Sequence, residues 1–321
     1  MMSHVNFLRY RLAQWLSNRL PPSLAFASAE RLADLQWRRS AKDRAAVCAN
    51  LSLLHGRPLS ERAPLVREVF RNFGRYLVEF FTMHRIRRPD VTIVGLHHVQ
   101  DALRTGRGAI LLTAHVGNWE LAAALFRRMG FPVAVVALPH EDSRMDRMFN
   151  AQRERAGIEV IPLGRVAAQR SLQRLREGCL LGLLGDLEFG GSRVAVSWCG
   201  IEVMFPRGPA TLSLRSGAPL IPTFLIREGR WRFRLIIEPP VWPARRRGLL
   251  ASVGALTQAY ATVFERSIKR FSDQWLIFQP IVPIVHKKRS SECARPGNSN
   301  RRAGGARNSE CTSTPARDLP Q

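Results

Sequence analysis

A chain of 321 residues, 45% of them hydrophobic, is long enough for one large α/β domain or two smaller ones with a full core. Its formal charge of +24 calls for a negatively charged partner, a demand that nucleic acid, anionic lipid or an acidic carrier protein would meet. Five cysteines without a Cys-x-x-Cys pair give no sign of a zinc site or a disulfide framework, which leaves a reducing, cytoplasmic setting as the default; no apolar run reaches the roughly 18 to 20 residues that span a bilayer.

In chain order, Val5, Leu8, Leu12, Trp15, Leu16 and Leu20 recur every three or four residues and predict an amphipathic helix that Pro21-Pro22 stops. Arg9, Arg11, Gln14 and Arg19 interrupt any signal-peptide core. Two readings are open for this helix: it lies on the inner membrane surface with Trp15 at headgroup depth and its arginines on phosphates, or it packs on its own protein. Two further helices are predicted near 41–54 and 60–86, the second burying Leu65, Val69, Phe73, Tyr76, Leu77 and Phe80. Residues 1–88 therefore read as a helical region.

From Val91 the pattern changes to short apolar runs at 109–114, 133–138, 158–162, 180–185, 219–226 and 231–237. Helices are predicted between them at 97–105, 118–129, 143–156, 166–177 and 207–216, with a last one over 249–269 before a strand-like piece, Trp275-Leu-Ile-Phe. This alternation implies an α/β domain over 89–285, a largely parallel mixed sheet flanked by helices, with 231–237 as an antiparallel strand. Residues 286–321, rich in Ser, Gly, Asn, Pro and Arg, cannot bury a core and are expected to be a disordered basic tail. No internal repeat is visible.

The most informative stretch is His115-Val-Gly-Asn-Trp-Glu120, at a strand-to-helix junction. On one continuous helix His115 and Glu120 would stand about 140° apart. They can meet if His115 ends the strand, Gly117 makes the bend and Asn118 caps a helix whose first turn carries Glu120. Glu120 would then accept the Nδ1 proton of His115, leaving Nε2 to take a proton from a substrate hydroxyl. The competing reading is plain helix capping beside a strand-end histidine.

Two other junctions repeat the pattern. Gly182-Leu-Leu-Gly-Asp186 places Asp186 at a strand end, before Glu188 and Gly190-Gly191; Phe205-Pro-Arg-Gly-Pro opens a helix with Arg207 and Gly208 beside N–H groups suited to an anion. A solvated loop and a proline-initiated helix are the bland alternatives. Gly-x-Ser-x-Gly, His-Glu-x-x-His, a P-loop and a Gly-x-Gly-x-x-Gly fingerprint are all missing from the sequence, and His97-His98 lacks a spaced third ligand, so no metal or cofactor is expected.

Taken in order, Thr113-Ala-His-Val-Gly-Asn-Trp-Glu, Arg153-Glu-Arg-Ala-Gly-Ile-Glu-Val-Ile, Leu184-Gly-Asp186, Pro206-Arg-Gly-Pro-Ala-Thr-Leu with Ser216-Gly-Ala-Pro-Leu-Ile-Pro, and Asp273-Gln-Trp-Leu-Ile-Phe carry a resemblance over about residues 40 to 280. The chain resembles the bacterial late acyltransferases of lipid A biosynthesis, within the lysophospholipid and glycerol-phosphate acyltransferase superfamily. The resemblance implies a peripheral enzyme on the cytoplasmic face of the inner membrane. Its donor would be acyl-carrier protein or acyl-CoA, and its acceptor a hydroxyl of an anionic glycolipid, first of all a lipid A precursor. His115 would be the base and Glu120 its orienter. Arg153, by motif position, and Arg207, by helix-start chemistry, would contact phosphate or headgroup, with Asn118 and Gly208 beside them and Asp186 orienting an arginine or serving structure alone. The sequence shows Asp186-Leu187, Trp198-Cys199-Gly200 and Gln279-Pro280 where the family usually differs, which opens the acceptor to phosphatidylinositol mannosides, as in related actinobacterial enzymes, or a lysophospholipid. A basic nucleic-acid-binding protein is the rival class; it requires exposed aromatics among the basic residues or a known module, and neither is found.

Overall fold

The computed structural model describes residues 2–284 other than 86–88, 188–191, 245–247 and 283. The expected disorder of 286–321 and the Glu188, Gly190-Gly191 loop lie outside the described residues. Four helices come first: α1 (Met2–Arg19), α2 (Pro22–Arg39), α3 (Ala41–His55) and α4 (Pro64–Thr82). The second was not expected. Pro21-Pro22 ends one helix and also opens the next, because proline lacks only an N–H that a first turn leaves unpaired anyway. Ser40 accepts from the Asp43 N–H to cap α3, and Gly56 ends that helix in the left-handed conformation. Asp34 on α2 accepts hydrogen bonds from both Arg67 and Arg71 on α4, tying the two helices together.

The remaining elements are β1 (Asp90–Val94), α5 (Leu96–Leu103), β2 (Ala109–Thr113), α6 (Trp119–Arg128), β3 (Val133–Ala137), α7 (Ser143–Arg155), β4 (Glu159–Pro162), α8 (Ala167–Arg176), β5 (Leu180–Leu184), β6 (Arg193–Trp198), β7 (Ile201–Pro206), α9 (Gly208–Ser216), β8 (Leu220–Gly229), β9 (Arg232–Ile237) and α10 (Leu249–Arg270). All six apolar runs are strands of one seven-stranded sheet ordered β1-β9-β8-β2-β5-β3-β4, in which only β8 and β9 pair antiparallel. The fold is the largely parallel α/β sheet with N-terminal helices that the alternation implied. β2 shows why its run is uninterrupted: Ala109 and Leu111 pack with α4 and α6, while Ile110 and Leu112 pack with α10 on the opposite face.

Two further features depart from expectation. An antiparallel hairpin, β6–β7, turns on Cys199-Gly200, both at positive φ, a two-residue turn whose twist matches its strands. The Trp275-Leu-Ile-Phe piece is not a strand: it makes a single bridge, Val116 to Trp275, and crosses the turn after β2, where the Leu276 N–H bonds the His115 carbonyl and the Gly117 N–H bonds the Gln274 carbonyl.

Candidate active site

β2 and β5 are adjacent, parallel and in register, Thr113 opposite Leu184. Two residues past the end of each strand stand His115 and Asp186, so the sheet itself brings imidazole and carboxylate together. His115 Nδ1 lies 2.8 Å from Asp186 Oδ1, and the His115 backbone N–H donates to Oδ2 at 2.8 Å. The Trp275 indole N–H gives Oδ2 a third contact at 3.2 Å. A carboxylate buried to 1% exposure and receiving these donors fixes the tautomer with the proton on Nδ1. The Nε2 lone pair is left without a hydrogen bond among the described residues.

Glu120 is therefore not the partner of His115. It sits one residue inside α6, and its carboxylate forms a forked pair with Arg153 of α7 at 2.6 to 3.1 Å. Burial disfavours the charged guanidinium, but the attraction of Glu120 outweighs it and raises the Arg153 pKa. Arg153 spends its remaining reach on Asn150. Asp186, in turn, orients the histidine and no arginine. Asn118 caps α6 as expected, accepting from the Leu121 N–H at 2.9 Å, and Gly117 bends at φ +67° where a Cβ would lie 2.0 Å from the Leu225 carbonyl oxygen.

The His115 ring lines a cavity of about 260 Å³ together with Tyr76, Leu111, Trp119, Ala123, Phe126 and Val133. Its lining is mainly apolar; Tyr76, Glu120, Arg153 and His140 are its charged or titratable members besides His115. Arg207 and Gly208 stand at the start of α9 and do not line it. Sequence reasoning missed His140 and Tyr76 as cavity residues. Burial and nearby Arg153 lower the His140 pKa, so this second imidazole is neutral at neutral pH. Tyr76 is buried, stacks on Trp119 with ring centroids 4.6 Å apart, and has its pKa pushed well up by burial and by Glu120. Asp186 as the histidine's partner had one signal in the sequence: each polar residue follows its apolar strand by the same offset.

An imidazole oriented by a buried carboxylate, beside a helix N-terminus and opening on an apolar cavity, suits deprotonation of a hydroxyl next to a hydrocarbon-bearing reactant. The family model for bacterial lipid A biosynthesis acyltransferases matches residues 5–281. The chain belongs to this family. It is an acyltransferase. It is 33% identical to a phosphatidylinositol mannoside acyltransferase of Mycobacterium tuberculosis (strain CDC 1551 / Oshkosh) over 234 residues, covering 70% of this chain and 72% of that one. It is 29% identical to a protein of the same name from Mycolicibacterium smegmatis over 240 residues, 72% and 77% of the two chains. Among the described residues no helix is long and apolar enough to cross a membrane, and no three His, Cys, Asp or Glu side chains cluster as metal ligands.

Proposed function

We propose that this acyltransferase moves a fatty acyl chain from a thioester donor, acyl-CoA or acyl-carrier protein, to a hydroxyl of an anionic mannosylated inositol lipid. The observation that carries the reading is the His115–Asp186 pair, whose imidazole lines an apolar cavity. The acyl chain lies in the cavity with its thioester carbonyl near His115. Nε2 takes the acceptor's hydroxyl proton as that oxygen attacks the carbonyl carbon. The tetrahedral oxyanion is favoured by the adjacent positive end of α6. Collapse expels the thiolate, which takes the proton back from the imidazolium, so His115 ends as it began. Asp186 holds the ring through Nδ1 and faces the imidazolium as it forms. The Glu120–Arg153 pair forms a polar wall beside His115, positioning rather than reacting.

The acceptor is assigned from the relatives, which are phosphatidylinositol mannoside acyltransferases, and from the basic charge of the chain. Peripheral association with the membrane's cytoplasmic face is part of the same proposal: Leu8, Leu12 and Trp15 are exposed along one stripe of α1, with Leu24, Leu32 and Leu35 exposed on α2 and Arg9, Arg11, Arg19 and Arg31 around them. Purified protein incubated with palmitoyl-CoA and either a phosphatidylinositol mannoside or a lipid A precursor, read by mass spectrometry, tests the acceptor. One added acyl mass on the mannoside is expected; acylation of the lipid A precursor alone would reassign it.

A further inference from the structure

Behind the catalytic turn lies a second charged cluster with no place in the proton transfer. Glu79 of α4 is fully buried and accepts a fork from Arg227 of β8, Nε to Oε1 at 2.5 Å and Nη2 to Oε2 at 2.8 Å, and Arg227 is itself only 7% exposed. The same Oε2 accepts the Asn118 side-chain N–H at 2.8 Å. Asn118 is completely buried, and its Oδ1 caps α6 through the Leu121 N–H. Its amide is thus held at both ends, and with it the last residue of the turn that carries His115. The rest of the cluster reaches the same turn. Gln274 exchanges two hydrogen bonds with the Arg227 backbone and gives its carbonyl to the Gly117 N–H, while the Asn118 N–H bonds the Leu225 carbonyl. A buried ion pair recovers its desolvation cost poorly, and apolar replacements of similar volume are often as stable. Stability is therefore a weak reason for this one, whereas its geometry has a definite use.

We propose that Glu79 and Arg227 are positioning residues for acyl transfer: Arg227 fixes the Glu79 carboxylate, and Glu79 fixes the Asn118 amide so that the His115 turn keeps its pitch toward Asp186. This rests on His115 being the base. Displacement of a catalytic group by about 1 Å costs on the order of 10²-fold in rate, so loss of the Asn118 contact reduces kcat by roughly 10- to 100-fold. Substrate binding in the cavity is untouched, and KM holds.

Two double variants separate positioning from stability. Glu79→Leu/Arg227→Met removes both charges and the acceptor for Asn118. Glu79→Gln/Arg227→Met removes both charges and keeps a neutral acceptor at the same place. Each is measured for melting temperature, for kcat and KM with palmitoyl-CoA and phosphatidylinositol mannoside, and for the His115 Nδ1–H proton resonance in histidine-labelled protein. The expected result is a lowered kcat with unchanged KM and a shifted or broadened imidazole resonance in the leucine variant, both restored in the glutamine variant. Asn118→Ser, which keeps the cap on Leu121 but loses the donor to Glu79, should reproduce the leucine variant and serves if that one does not fold. Equal kcat per folded molecule in all variants, with the resonance where wild type has it and only melting temperature changed, overturns the proposal. The resonance reads the turn without turnover, so a wild type inactive on both substrates would defeat the proposed function while leaving the positioning question decided.

Discussion

Glu120 and Asp186 are two carboxylates within reach of one short turn, and their environments divide the work between them. Asp186 is aimed by β5 at an imidazole ring; Glu120 is aimed by α6 at a guanidinium. Glu120→Gln leaves Arg153 buried with its charge unmatched, which should lower stability by roughly 3 kcal/mol by denaturant titration. A variant as stable as wild type would mean that Arg153 is solvated or paired elsewhere. Their assignment was only half legible in the sequence. The spacing of His115, Gly117, Asn118 and Glu120 announces a strand, a bend and a capped helix, all of which form. It carries no information on which neighbouring strand lies beside the histidine, and that adjacency, β2 against β5 with two strands and three helices between them in the chain, decides the partner.

Elements with local punctuation were readable, and those defined by distant contacts were not. Strands β2 to β5 follow from short, mainly apolar runs, and α3, expected near 41–54, is bounded by Ser40 and Gly56. The β6–β7 hairpin was hidden because Cys199 takes a positive φ that asparagine or glycine usually signals, and Trp275-Leu-Ile-Phe is apolar for packing across a turn rather than for pairing in a sheet. Two predictions belong to this scale. The hydrogen bonds from Arg67 and Arg71 hold the Asp34 carboxyl well below the usual carboxylate range, so the stability they contribute is complete above about pH 4 and falls away as the pH drops through the folded-state value. Asp34→Asn should therefore melt lower than wild type at pH 7, with the gap closing in acid; a gap constant with pH would show that the charge does not join α2 to α4. Ala123 of α6 lines the cavity, and leucine there fills part of it while keeping helix propensity. In competition among acyl-CoA donors, Ala123→Leu should move the preference toward shorter chains, and an unmoved preference would place the acyl chain elsewhere.

Across the whole molecule, the basic charge and the exposed apolar stripe of α1 are the features on which the proposed surface association rests. The Arg144 guanidinium packs over the Phe7 ring, placing the start of α1 against the start of α7; His140, three residues before that helix, lines the cavity. Leu12→Glu/Trp15→Glu should reduce flotation with anionic vesicles several-fold, apolar burial and arginine attraction being additive there; undiminished flotation would assign the binding to another face. The core of the account is chemical, and single-turnover acyl transfer by purified, folded Asp186→Asn protein tests it most directly. An amide in place of the carboxylate should leave the fold and donor binding intact and slow transfer by roughly 10²- to 10⁴-fold, as removal of His115 should, because the imidazole then loses the partner that sets its tautomer. Transfer at the wild-type rate would contradict the pairing of His115 and Asp186 as the machinery of the reaction.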